Sequence, residues 1–313
     1  MTANEETGDG AEANPYLAGA ELQATLLTPA RPRVWTTFVA LLAALGAIVV
    51  SQIIFGIALA VWCATNGGDL QNLAKELPDM LTKPLAFIAL AMLSQLSFGL
   101  AAIIPARLSP EPTLSRLGLV SAKLPKWGFP VVMLSVIAPA ALGLGLAHAV
   151  AWVIKPDPSV QKLYEQMTAG VAVPFILCIA LAPGFVEEIM FRGYVQRRFL
   201  QRWSPWTAIG VSSLIFALMH ITPHAIAFAF PIGVWLGAVA WRTGSVWPGI
   251  LCHAFINGFW NIWQIGARLA GIPARLQIVT AAIVVAVGIG CFVISLRLIT
   301  HPIEEAVDVV PKE

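Results

Sequence analysis

Eight stretches of roughly 20 mostly apolar residues, the length of a helix that crosses a bilayer core, decide what this chain can fold into. They run over 35–64, 84–106, 127–154, 171–190, 206–220, 225–241, 246–265 and 276–299. Of the 313 residues 58% are hydrophobic and 12% charged, and the mean hydropathy is +0.78, outside the range of a water-soluble domain. The expected fold is an all-α membrane protein of about eight transmembrane helices.

With the N-terminus inside, about two thirds of the 19 Lys and Arg fall on the inner side. This bias predicts that both termini are cytoplasmic. Trp35, Trp62, Trp127, Trp152, Trp203, Trp206, Trp241 and Trp247 fall near the ends of the spans, where amphipathic rings prefer the headgroup level. Residues 1–33 are polar and read as a disordered cytoplasmic tail. Residues 34–170 hold the first helices and loops, 266–300 the last helix and 301–313 a second tail. The outer loops 66–83 and 155–170 are long enough for short amphipathic helices, and the inner loop, with its "SPEPTLSRLGL", reads as interfacial. A net charge of +2 with dispersed basic residues gives no footprint for nucleic acid. Cys63, Cys178, Cys252 and Cys291 lie in or beside apolar runs without CxxC spacing and read as small buried hydrophobes.

A charge at bilayer depth costs about 2.5–3.5 kcal/mol on insertion scales. Few ionisable or amide side chains remain within the fourth to seventh spans: Glu187, Glu188, His220, His253, Asn257, Asn261 and Gln264. If 186–203 runs inward as one helix to a turn at "WSPW", Glu187 lies 17 residues before Ser204 and His220 lies 16 after it. Each is then roughly 25 Å from the turn at 1.5 Å per residue, which puts the two at one depth. His253 and Asn257, spaced i, i+4, share a face of the seventh span roughly 12 and 18 Å above its inner turn. A carboxylate with a histidine can bind and deprotonate water. A second histidine with an asparagine can donate hydrogen bonds to the oxyanion of a tetrahedral intermediate.

These residues form three motifs in order: EExxxR from Glu187 and Glu188 to Arg192, FxxxH from Phe216 to His220, and HxxxN from His253 to Asn257. The pattern resembles the CAAX-prenyl endopeptidase-like and bacteriocin-processing intramembrane proteases, the CPBP or Abi family. The resemblance covers 171–265, which makes the fourth to seventh helices the catalytic core. It implies that Glu187 activates water with His220, that His253 and Asn257 form the oxyanion hole, and that Glu188, Arg192 and Phe216 support them. It implies a peptide or lipidated-protein substrate, processed by a multi-pass protein of the plasma (inner) membrane. Zinc held by Glu187, His220 and His253 and a metal-free glutamate mechanism are both open on this reading, as is the oligomeric state.

Blander readings stand beside these. His253, Asn257, Asn261 and Gln264 can serve as hydrogen-bonded glue between helices, and His224 offers an HxxxH pair with His220 that Pro223 interrupts. His148 and His301 read as interfacial or solvent-facing. Gly233 and Gly237 form a GxxxG pattern that reads as close helix packing. The alternative function is a non-enzymatic membrane protein, either a transporter whose Glu–His pair relays protons or an immunity or scaffold protein.

Overall fold

The structure is a computed structural model that describes residues 34–66, 80–81 and 83–300. The two tails, His301 and most of the 66–83 loop lie outside the described residues. Helices α1 (Trp35–Thr65), α2 (Pro84–Arg107), α3 (Thr113–Arg116), α4 (Gly128–Ser135), α5 (Ile137–Ala151), α6 (Ser159–Glu165) and α7 (Ala169–Glu187) come first. A π-helical segment, Glu188–Gln196, continues α7 into α8 (Arg197–Leu200), followed by α9 (Pro205–Leu218), α10 (Pro223–Thr243), α11 (Trp247–Leu269) and α12 (Ala274–Thr300). Helix accounts for 82% of the structure, and the described residues contain no strand, so the class is all-α.

All eight expected spans contain helix, but six helical segments are both long and apolar enough to cross a membrane. α9 has only 14 residues, and α11 has the length but carries the polar stripe from His253 to Arg268. Helix starts follow local chemistry. Ser204 and Thr222 accept the N–H groups of Thr207 and Ala225 with Pro205 and Pro223 in the first turn, where proline's missing N–H is harmless. Gly244 ends α10 at φ 70°, a left-handed cap that glycine adopts without penalty.

Burial grades across the bundle: α1 and α12 are mostly exposed, as lipid-facing helices would be, while half of the most apolar stretch of α10 is buried. α7 packs against α2 and α11, and α10 against α5 and α9. The α7–α11 approach depends on Gly184, where a Cβ would lie 2.8 Å from the Ala254 nitrogen.

Only part of the loop expected to be interfacial is exposed. The stretch around Glu111 and Arg116 is an exposed turn closed by an ion pair of 2.9 Å, but Leu117 is buried. The next residues are stitched to the α10–α11 turn: Val246 N–H donates to Gly118 O (3.0 Å), Lys123 N–H to Thr243 O (2.9 Å) and Ser245 Oγ–H to Val120 O (2.5 Å). Buried backbone groups need such partners, and they tie this loop to the α10–α11 turn.

Candidate active site

The site is built on the π-helical segment, all nine of whose residues are buried. π geometry is rare and concentrates at functional sites. Here its side chains are tied to α10: Arg192 Nη2 donates to Gly233 O (3.0 Å) and Gln196 Nε2 to Gly237 O (2.9 Å). Both glycines lie at close approaches, since a Cβ at Gly233 would lie 3.1 Å from Phe216 and one at Gly237 2.6 Å from Gln196 Oε1. The GxxxG pattern is thus a close packing surface that also offers two carbonyls.

Glu188 anchors the centre. One of its oxygens, Oε1, accepts from Arg192 Nη1 (2.8 Å) and from His253 Nδ1 (3.0 Å), with Glu188 0% and Arg192 1% exposed. The arginine also lies over the Phe216 ring, 4.3 Å from its centroid. A buried carboxylate needs such partners. Because Glu188 accepts, His253 donates from Nδ1, which leaves Nε2 as the free nitrogen of the neutral ring.

That nitrogen points toward Glu187. His253 Nε2 lies 3.9 Å from Glu187 Oε2, too far for a hydrogen bond and a span that one water can bridge. The Glu187 side chain is 13% exposed, and its other oxygen, Oε1, accepts from Gln95 Nε2 of α2 at 2.7 Å.

Phe216 collects the remaining motif residues. It meets His220, His253 and Phe191 edge-on, with centroids 5.1, 5.7 and 5.3 Å apart. His220 lies just past the end of α9 and is exposed. Its Nδ1 donates to Phe216 O (3.1 Å), so its Nε2 is also free. Among the described residues no hydrogen bond or ion pair joins His220 to Glu187. The histidine nearest that carboxylate is His253, because α11 crosses α7 closely at Gly184 while the short α9 ends before His220.

Asn257 donates to Ile179 O of α7 (3.3 Å), and Asn261 links Asn257 O (2.8 Å) to the Tyr164 hydroxyl (3.1 Å). As it stands the stripe ties α11 to α7 and α6. His224 bonds Ile154 O (2.9 Å) rather than pairing with His220, and His148 bonds Leu144 O (2.8 Å). Among the described residues no three His, Cys, Asp or Glu side chains are arranged to hold a metal ion. No step below passes through a metal.

Sequence reasoning missed Gln95 and Gly249. Gln95 was findable as a lone amide within an apolar span. Gly249 was not: its role is to leave room for Glu188, whose Oε2 would lie 2.9 Å from an added Cβ.

Residues 169–259 match the family model described as Type II CAAX prenyl endopeptidase Rce1-like. No curated protein and no solved structure matches the chain. The matched segment contains all three motifs and agrees with the resemblance they carry. Over residues 169–259, therefore, the chain resembles the Type II CAAX prenyl endopeptidase Rce1-like family, a likeness that supports a membrane protease, and its six long apolar helices support an integral membrane protein.

Proposed function

We propose that the protein hydrolyses a peptide bond in a membrane-associated or lipidated protein, with Glu187 as the base. The observation that carries this reading is the buried Glu188–Arg192–His253 network, which holds a free imidazole nitrogen 3.9 Å from the Glu187 carboxylate. A water between Glu187 Oε2 and His253 Nε2 gives up a proton to the carboxylate as its oxygen attacks the scissile carbonyl carbon. The carbonyl π pair moves onto oxygen. Collapse of that tetrahedral intermediate breaks the C–N bond, and the proton held by Glu187 passes to the leaving nitrogen.

By the family resemblance, His253 and Asn257 stabilise the oxyanion and His220 assists the water. The local bonds set conditions on these roles. With Nδ1–H committed to Glu188, His253 donates from Nε2 only as the imidazolium, whose charge then faces the Glu188 carboxylate. Asn257 reaches an oxyanion by releasing Ile179 O. The charge bias of the sequence supports cytoplasmic termini, and His253 lies six residues from the Trp247 end of α11, so the site opens nearer the cytoplasmic face.

The test is release of the C-terminal tripeptide from a farnesylated CAAX peptide by purified protein in lipid nanodiscs, followed by mass spectrometry. Glu187→Gln keeps the shape and removes the base, and the expected rate falls at least about 100-fold. Release by Glu187→Gln at the parent rate would sink the proposal.

A further inference from the structure

Gln95 belongs to no motif and lies on a helix outside the matched segment, yet among the described residues it makes the shortest polar contact of the Glu187 side chain, 2.7 Å. It is 8% exposed and faces α7 from the middle of α2. The carboxylate fixes the orientation of its amide: Nε2 must donate to Glu187 Oε1, because the flipped amide would set oxygen against oxygen. This bond holds one carboxylate oxygen and leaves the other, Oε2, on the side of His253 Nε2. Without it the Glu187 side chain keeps its backbone position and loses its aim, since no other side chain of the described residues donates a hydrogen bond to it.

The other end of the same amide is unusual. Gln95 Oε1 is buried and has no hydrogen-bond partner among the described residues. Buried amide oxygens without a partner are rare and costly. This one sits on the carboxamide that touches the base and takes no donor from the described residues. A peptide substrate brings such donors in its backbone N–H groups.

We propose that Gln95 is a positioning residue for the reaction: its N–H orients Glu187 toward His253, and its free Oε1 accepts one backbone N–H of the bound peptide. This rests on the proposed function. It adds a second, substrate-facing element to the site from α2, and it predicts that the peptide is recognised in part by its main chain.

The experiment compares the parent, Gln95→Met and Glu187→Gln on the farnesylated CAAX peptide, and on analogues in which each amide N–H beside the cleaved bond is replaced in turn by an ester oxygen. Methionine keeps the side-chain volume and removes both polar atoms. Gln95→Met is expected to keep the parent's melting temperature in detergent and to lose about 10- to 100-fold in kcat, the loss expected for one hydrogen bond to a charged group. One ester is expected to cost the parent roughly 10-fold in kcat/KM and to cost Gln95→Met nothing further, a coupling that a merely structural role would not produce. A folded Gln95→Met with kcat within about twofold of the parent overturns the positioning role. Equal ester penalties in parent and variant at every position overturn the acceptor role. If Gln95→Met fails to fold, Gln95→Asn, which retains the amide but falls one methylene short of Glu187, takes its place with the same criteria. Glu187→Gln that cleaves as fast as the parent removes the proposed function and this inference with it, whereas a normal Gln95→Met beside a dead Glu187→Gln removes the inference alone.

Discussion

Replacing Arg192 by methionine isolates what holds the site together. The guanidinium is 1% exposed, donates to Glu188 Oε1 at 2.8 Å and to Gly233 O at 3.0 Å, and lies 4.3 Å from the Phe216 centroid. Methionine fills much of the volume, so the loss is chiefly electrostatic. Removing one partner of a buried ion pair costs about 3–5 kcal/mol, because the other charge is left stranded. The Phe216 contact, about 2 kcal/mol when desolvated, falls partly within that figure. A total of about 4 kcal/mol corresponds to roughly a thousandfold in the folding equilibrium. Unfolding in mixed detergent and SDS micelles measures it. A second variant separates charge from packing: adding Glu188→Gln to Arg192→Met neutralises the stranded carboxylate and keeps an acceptor for His253 Nδ1, so about 2 kcal/mol should return. Arg192→Met within about 1 kcal/mol of the parent, or a double variant less stable than the single, would refute the reasoning.

Further outcomes follow from packing and burial. Gly193→Ala should lose about 1–3 kcal/mol in the same unfolding assay, because a Cβ there would lie 2.4 Å from the carbonyl oxygen of buried Leu117. Gly210→Ala, with nothing within 4 Å, should instead be neutral or gain up to about 1 kcal/mol. Tyr164→Phe should cost about 1 kcal/mol through loss of the 3.1 Å bond to Asn261. Burial raises the Tyr164 pKa above its ordinary value. The folded protein therefore holds that proton more tightly than the unfolded chain, and stability falls as pH rises beyond about 10. The phenylalanine variant should lack that alkaline loss, as melting curves taken across that range will show.

Hydropathy was enough to place the helices, because a bilayer demands long apolar runs whatever their packing. It overcounted the segments that can cross unaided, since α9 is short and α11 gives its apolarity up to the site. Residue identity was equally legible: an acidic pair, two histidines and an asparagine have no cheap reason to lie at that depth. Pairing was not. Equal depth suggested Glu187 with His220, but depth along a helix says nothing about rotation around it or about which neighbour crosses most closely.

Tertiary structure decided those questions. Close approach of α7 and α11 at Gly184 brings His253 to Glu187, and π geometry over Glu188–Gln196 lets Arg192 and Gln196 reach the Gly233 and Gly237 carbonyls. Gln95 reached the site from 92 residues away in sequence, and the loop after α2 is tied to the α10–α11 turn by backbone bonds. The sequence by itself determined a helical membrane protein and the side chains available for chemistry, because burial in lipid and polar exceptions to it are written residue by residue. Which of those side chains touch, and through which nitrogen or oxygen, depended on packing between helices distant in the chain, where a missing Cβ or an extra residue per turn changes every contact.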